Sequence, residues 1–141
     1  MGKAANSSIS LKQIHVTDNF WNKYVHLVKD VIIPYQWDIL NDKLEDVETS
    51  HCIENFKIAA GEKEGEFQGA VFQDTDVAKW LEAVGFVLNY ERDEKLEELA
   101  DETIELIGRA QQPDGYLNTY FTIKEPDGRW SNLMEGHELY T

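Results

Sequence analysis

Cysteine is nearly absent from this chain: Cys52 is the single one in 141 residues. That excludes an internal disulfide and any metal site built from several cysteines of this chain. Its neighbours Ile53 and Phe56 indicate a buried structural thiol. Positive charge is scarce as well. Lys and Arg number 13 against 27 Asp and Glu, a formal net charge of −14. A polyanion would be repelled and no basic stripe offers a local exception, which argues against a nucleic-acid partner. The acidic surplus itself reads as solubility. No window approaches eighteen consecutive apolar residues, so no membrane span is expected. The N-terminus has one lysine, Lys3, with no apolar stretch behind it, so a secretory signal is lacking. The expected location is the cytoplasm, unless an export signal has been removed. His15, His26 and His51 show no metal-ligand spacing and are read as incidental.

What is present suits one globular domain, with 42% apolar and 28% charged residues. Residues 1–13 are small and polar, a disordered leader. Thr17 or Asp18 can cap a helix whose apolar positions are Phe20, Trp21, Tyr24, Leu27, Val28, Val31 and Ile32. Pro34 predicts a kink or break before Gln36–Leu40 resumes the pattern. Residues 41–50 are acidic and aperiodic, a loop. A short helix through Ile53, Phe56 and Ala59 is closed by Gly61. A further helix starts near Asp74 or Asp76, with Val77, Trp80, Leu81, Val84 and Leu88 on one face. The next runs from about Asp93 to Gln111 on Leu96, Leu99, Ala100, Thr103, Ile104 and Ile107, and Pro113-Asp114-Gly115 stops it as a turn. Residues 116–130 alternate between breakers and suggest a short hairpin or extended loop. From Leu133 another helix starts and is still running at Thr141. The expected class is all-α, with helical pairs joined by long loops.

Two stretches hold the residue mix that a sugar site needs, Phe72–Ala83 and Ala110–Tyr120. Both set aromatics, carboxylates and amides side by side at helix ends, flat rings for a sugar face and polar groups for its hydroxyls. Asp74 and Asp76 are read as helix capping and dipole complementarity rather than an acid/base pair. Lys79 and Glu82 are read as a surface ion pair and Trp80 as core. Gln111, Gln112, Asp114 and Tyr116 form either a binding rim or simply a turn with a capping Asp. Gln36 and Trp37 pose the same question more weakly.

Six pieces occur in one order: Phe20-Trp21, Ile33–Trp37, Asn55–Gly61, Phe72–Ala83, Ala110–Tyr120 and His137-Glu138-Leu139-Tyr140. Together they resemble the N-terminal part of family-127 glycoside hydrolases, the β-L-arabinofuranosidases, over nearly all of residues 20–140. The resemblance implies part of an (α/α)6 barrel spanning residues 14–141, acting on a terminal β-L-arabinofuranosyl unit with retention of configuration. It implies His137 as a sugar-binding residue that hydrogen-bonds a furanose hydroxyl. It also implies a zinc site of three Cys and one Glu that holds a thiolate nucleophile, and a second Glu as acid/base. None of those residues falls within this chain, and Cys52 matches none of them. About a dozen helices make such a barrel, and roughly a third are expected here. The chain thus reads as a truncated portion, inactive alone, with apolar stripes left uncovered. A self-contained helical carbohydrate-binding or interaction module, or a defunct fragment, are the alternatives.

Overall fold

The structure, a computed structural model, describes residues 9–139. Seven α-helices and no strand occur among the described residues: α1 Asn19–Leu27, α2 Ile33–Leu40, α3 Cys52–Ala59, α4 Asp74–Tyr90, α5 Glu94–Ala110, α6 Thr119–Ile123 and α7 Leu133–Gly136. The all-α expectation holds. Residues 1–8 of the expected leader lie outside the described residues, and Leu11–Gln13 form one exposed 3-10 turn.

Asp18 caps α1, its Oδ1 accepting from the Phe20 and Trp21 amides at 3.0 and 2.8 Å. The break expected at Pro34 is a π turn over Val28–Ile32, in which the Ile33 amide reaches back to the Val28 carbonyl. Proline has no N–H to offer the carbonyl four residues back, and in a regular α-helix its ring would press on it. The wider turn removes that conflict and lets α1 and α2 run on as one rod.

α4 lies centrally, against α2, α3 and α5, and α3 also meets α5 and α6. Ile33, Leu40, Phe56, Val77, Trp80 and Val84 form the heart of the core, each at most 4% exposed. Trp80 packs its ring 4.5 Å from that of Trp37 and donates its indole N–H to the Ile33 carbonyl at 3.1 Å. Burying so large a ring needs such a partner for its one polar atom. Cys52 is fully buried and donates to the Gln73 carbonyl at 3.2 Å, and burial pushes its thiol up, so it is the inert structural thiol expected. Asn55, 1% exposed, holds the loop after α3 through both backbone groups of Gln68.

Several expectations are corrected. Within the short hairpin or extended loop expected near 116–130 stand α6 and a 3-10 turn at Pro126–Gly128, joined by loop, and no strand. Asn118 caps α6, its side chain accepting from the Phe121 amide at 3.0 Å, and one cap suffices to turn an ambiguous stretch helical. The helix at Leu133 ends at Gly136, because His137 takes the left-handed conformation at φ 52°. The reading of Tyr140-Thr141 as mid-helix lies outside the described residues. Ile104, placed on the inner stripe of α5, is 54% exposed, while Leu106 is buried in its stead. The apolar stripe of α1, by contrast, is left uncovered as expected, with Phe20, Trp21, Tyr24 and Leu27 each more than 40% exposed.

Candidate functional site

One end of the bundle gathers the first turn of α4, the start of α6 and the segment 129–138. Asp74 opens α4 but does not cap it, since Gln73 occupies the cap position. Its carboxylate, 3% exposed, crosses to α6 and accepts from the Thr119 amide and the Thr119 hydroxyl, both at 2.6 Å. Asp74 therefore caps a different helix from its own. Burial raises its carboxyl, and the two Thr119 bonds pull it partly back. Asp76 pairs with Lys79 at 3.3 Å, so the expected Lys79–Glu82 pair is replaced by Lys79–Asp76, an i, i+3 neighbour on the other side.

The Pro113-Asp114-Gly115 segment is a turn satisfied from within. Asp114 Oδ1 accepts from the Tyr116 amide at 3.1 Å, Gln111 reaches the Gly115 carbonyl, and Gln112 reaches that of Ala110. Of the two readings, the turn with its capping Asp prevails. Gly115 supplies the φ of 88° that the turn requires. Tyr116 points inward from this turn and donates its hydroxyl to the buried Glu138. Burial first, and then that carboxylate, raise the Tyr116 hydroxyl. Arg129 lies over the Tyr116 ring, 4.1 Å from its centre, and pairs with Asp114 at 3.1 Å. The second Glu138 oxygen accepts from the Trp130 amide at 2.8 Å.

His137 stands between these anchors, half-buried, with its ring 5.4 Å from that of Phe72 and inclined by 61°. Phe72 is at the edge of a cavity of about 800 Å³ between α2, the start of α4 and residues 48–50. Gln36, Gln73, Asp76 and Lys79 give that cavity polar groups, and Trp80 with Ile39 gives it apolar wall. Aromatic edge, amides and an ion pair around one hollow are what a hydroxylated ligand requires. The structure thus brings His137 and the Phe72–Ala83 stretch together. Gln111, Gln112 and Asp114 are not among the residues lining this hollow.

Asp74 and Glu138 are both occupied by donors that hold the fold, so neither is poised to carry a proton to a substrate. His15 packs edge-on to Tyr90, His26 lies 3.7 Å from Asp30, and His51 is held by Asp42. Among the described residues no three His, Cys, Asp or Glu side chains gather as metal ligands. Glu138 and Thr119 fall inside stretches singled out above, but their hydrogen-bond roles were not legible there. Their partners lie 22 and 45 residues away, and neither distance leaves a periodic trace. Asn118-Thr119 was the only local hint, as a cap signal inside a stretch that looked extended.

Over residues 13–141 the chain matches the catalytic domain of the GH127 β-L-arabinofuranosidases. A non-reducing end β-L-arabinofuranosidase of Bifidobacterium longum subsp. longum is 39% identical over a 143-residue alignment, covering 90% of this chain and 22% of that protein. The crystal structure of a GH127 β-L-arabinofuranosidase from Geobacillus stearothermophilus T6 superposes with a TM-score of 0.89 at 62% identity, covering 91% of this chain and 20% of that one. A second GH127 β-arabinofuranosidase structure gives 0.80 at 30% identity, covering 94% of this chain and 21% of its own. The chain therefore spans about a fifth of the length of the relatives it matches.

Proposed function

The chain belongs to the GH127 β-L-arabinofuranosidase catalytic-domain family, and from that premise we propose that it forms the N-terminal part of an (α/α)6 barrel that binds a terminal β-L-arabinofuranosyl unit. Its role lies in a retaining glycoside hydrolase, and within it His137 hydrogen-bonds a hydroxyl of the furanose. The observation that carries this reading is the backbone of His137. His137 holds a left-handed backbone at φ 52° and sets its imidazole against Phe72, which lines the cavity, while His137 itself is not among the lining residues. Strain of this kind, of order 1–3 kcal/mol, collects where a side chain has work to do.

The zinc–thiolate chemistry of the resemblance asks for three cysteines and a glutamate. The donors here do not fit it: Cys52 is the one cysteine, fully buried and spent on the Gln73 carbonyl. No step on these residues runs through zinc, and what they contribute is the binding and orientation of sugar.

Calorimetric or NMR titration with methyl β-L-arabinofuranoside tests the reading. We expect weak saturable binding that His137→Ala abolishes while leaving the melting temperature within a few degrees. A flat titration of the wild-type chain would overturn it as a statement about these residues.

A further inference from the structure

We infer that Glu138 is a positioning residue for His137, its carboxylate clamped between the Tyr116 hydroxyl and the Trp130 amide so that the histidine is held in its left-handed conformation. The inference rests on the assignment of His137 to sugar binding, and extends it to a residue that touches no sugar.

The segment from Trp130 to Glu138 begins and ends under constraint. Trp130, at φ 61°, and His137, at φ 52°, are both non-glycine residues in the left-handed region. One carboxylate ties the two ends together. Its Oε2 accepts from the Trp130 amide at 2.8 Å, and its Oε1 accepts from Tyr116, which belongs to the turn after α5. Glu138 is 8% exposed, so a carboxylate here is tolerated only because donors meet both oxygens. The other flank of His137 is fixed by packing. A Cβ on Gly136 would stand 2.9 Å from the Phe121 ring, so the chain passes there closely and in one way. With Gly136 seated on Phe121 and Glu138 clamped, the peptide planes on both sides of His137 are set. From Leu133 the sequence pattern reads as a helix that runs on past 137. The clamp supplies the reason that it stops.

Tyr116 is itself held. Arg129 covers its ring and reaches Asp114, which also receives the Tyr116 amide. The turn Pro113-Asp114-Gly115 is therefore joined to His137 through Tyr116 and Glu138. That gives the aromatic turn a role in the site without contact to ligand.

The test separates positioning from mere stability by reading His137 directly. In Glu138→Ala, the amide–Hα coupling and Cα shift of His137 should move toward helical values, and the Phe72–His137 ring contact seen by NOE should vanish. The Trp80 indole resonance, in the core, should stay in place. Glu138→Gln can accept from the Trp130 amide and donate to the Tyr116 oxygen, so it should restore both signals. Methyl β-L-arabinofuranoside affinity should fall roughly tenfold or more in the alanine variant, since a displacement of about 1 Å costs up to ~100-fold in a positioned site, and recover in the glutamine variant. Should Glu138→Ala fail to fold, Tyr116→Phe removes one arm of the clamp alone and should shift the His137 signals the same way. Unchanged His137 signals in the folded variant would overturn the inference. If those signals move as expected but wild-type chain binds no arabinofuranoside, positioning stands and the sugar assignment fails.

Discussion

A carboxylate in the first turn of a helix is ordinarily taken to serve that helix, and Asp74 shows how a neighbour can claim it. Its two oxygens meet the amide and hydroxyl of Thr119, 45 residues away, in a site 3% exposed. Burial outweighs those two bonds and lifts the carboxyl above its ordinary 3.8. The folded chain thus holds this proton more tightly than the unfolded chain does. Asp74's contribution to stability is fully present below pH 3.8 and is lost as pH rises through the raised folded value. We expect the stability advantage of wild type over Asp74→Asn, read from melting temperatures between about pH 3 and 7, to shrink as pH rises. An advantage that grows with pH would mean that the Thr119 bonds dominate burial. Which residue types mattered was partly legible in the sequence: Trp80 and Cys52 are in the core, as their apolar neighbours indicate. The partners of Asp74 and Glu138 were not, because a hydrogen bond closed by the tertiary fold leaves no spacing rule behind it.

Among the elements, legibility followed length and amphipathic contrast. α4 and α5, 17 residues each, repeat an apolar face over several turns, so their existence and core side could be read directly. α5 also has its ends marked, with Asp93 as cap, Glu94 and Glu97 in the first turn and Arg109 in the last. Asp93 Oδ1 accepts from the Lys95 and Leu96 amides, both at 3.2 Å. Asp93→Ala should cost about 1 kcal/mol, seen as a lower urea midpoint at unchanged slope. A change below the measurement error would show that the Arg92 and Glu97 pairing holds this end without the cap. α6 and α7, five and four residues, are too short to show a period. Each exists because a side chain caps it, Asn118 for one and Asn132 for the other, and α6 has Asp74 as a second acceptor. Short helices of this kind are decided by tertiary contacts, which is why a hairpin was the natural reading of residues 116–130.

At the scale of the whole molecule, the largest departure from a closed globule is the outward face of α1. Phe20 and Trp21 are 54% and 61% exposed, and Trp21 and Tyr24 border an apolar groove of about 560 Å³ running to Phe86 and Tyr90 on α4. The uncovered stripes anticipated for these helices are there, over a protein of net charge −14. A hydrophobic dye such as ANS should therefore fluoresce strongly with the folded chain. Trp21→Ser should reduce that signal while changing stability by no more than about 0.5 kcal/mol, as for an exposed side chain. A dye-silent chain would show the groove to be closed in solution. No helix among the described residues is long and apolar enough to cross a membrane. The π turn at Val28–Ile32 sets how this outward face relates to the rest. It winds one residue more than an α-helical turn would, and each residue turns the helix by about 100°. Seen as a matter of insertions and deletions, the rod from Asn19 to Leu40 carries its single spare codon there. Loss of one residue between 28 and 32 would leave the aromatic face and the Ile33–Trp37 face in their present relation, but only together with Pro34→Ala, since a regular helix would bring the proline ring back against a carbonyl. Loss of a residue anywhere else along the rod would swing one face a quarter-turn away from the other.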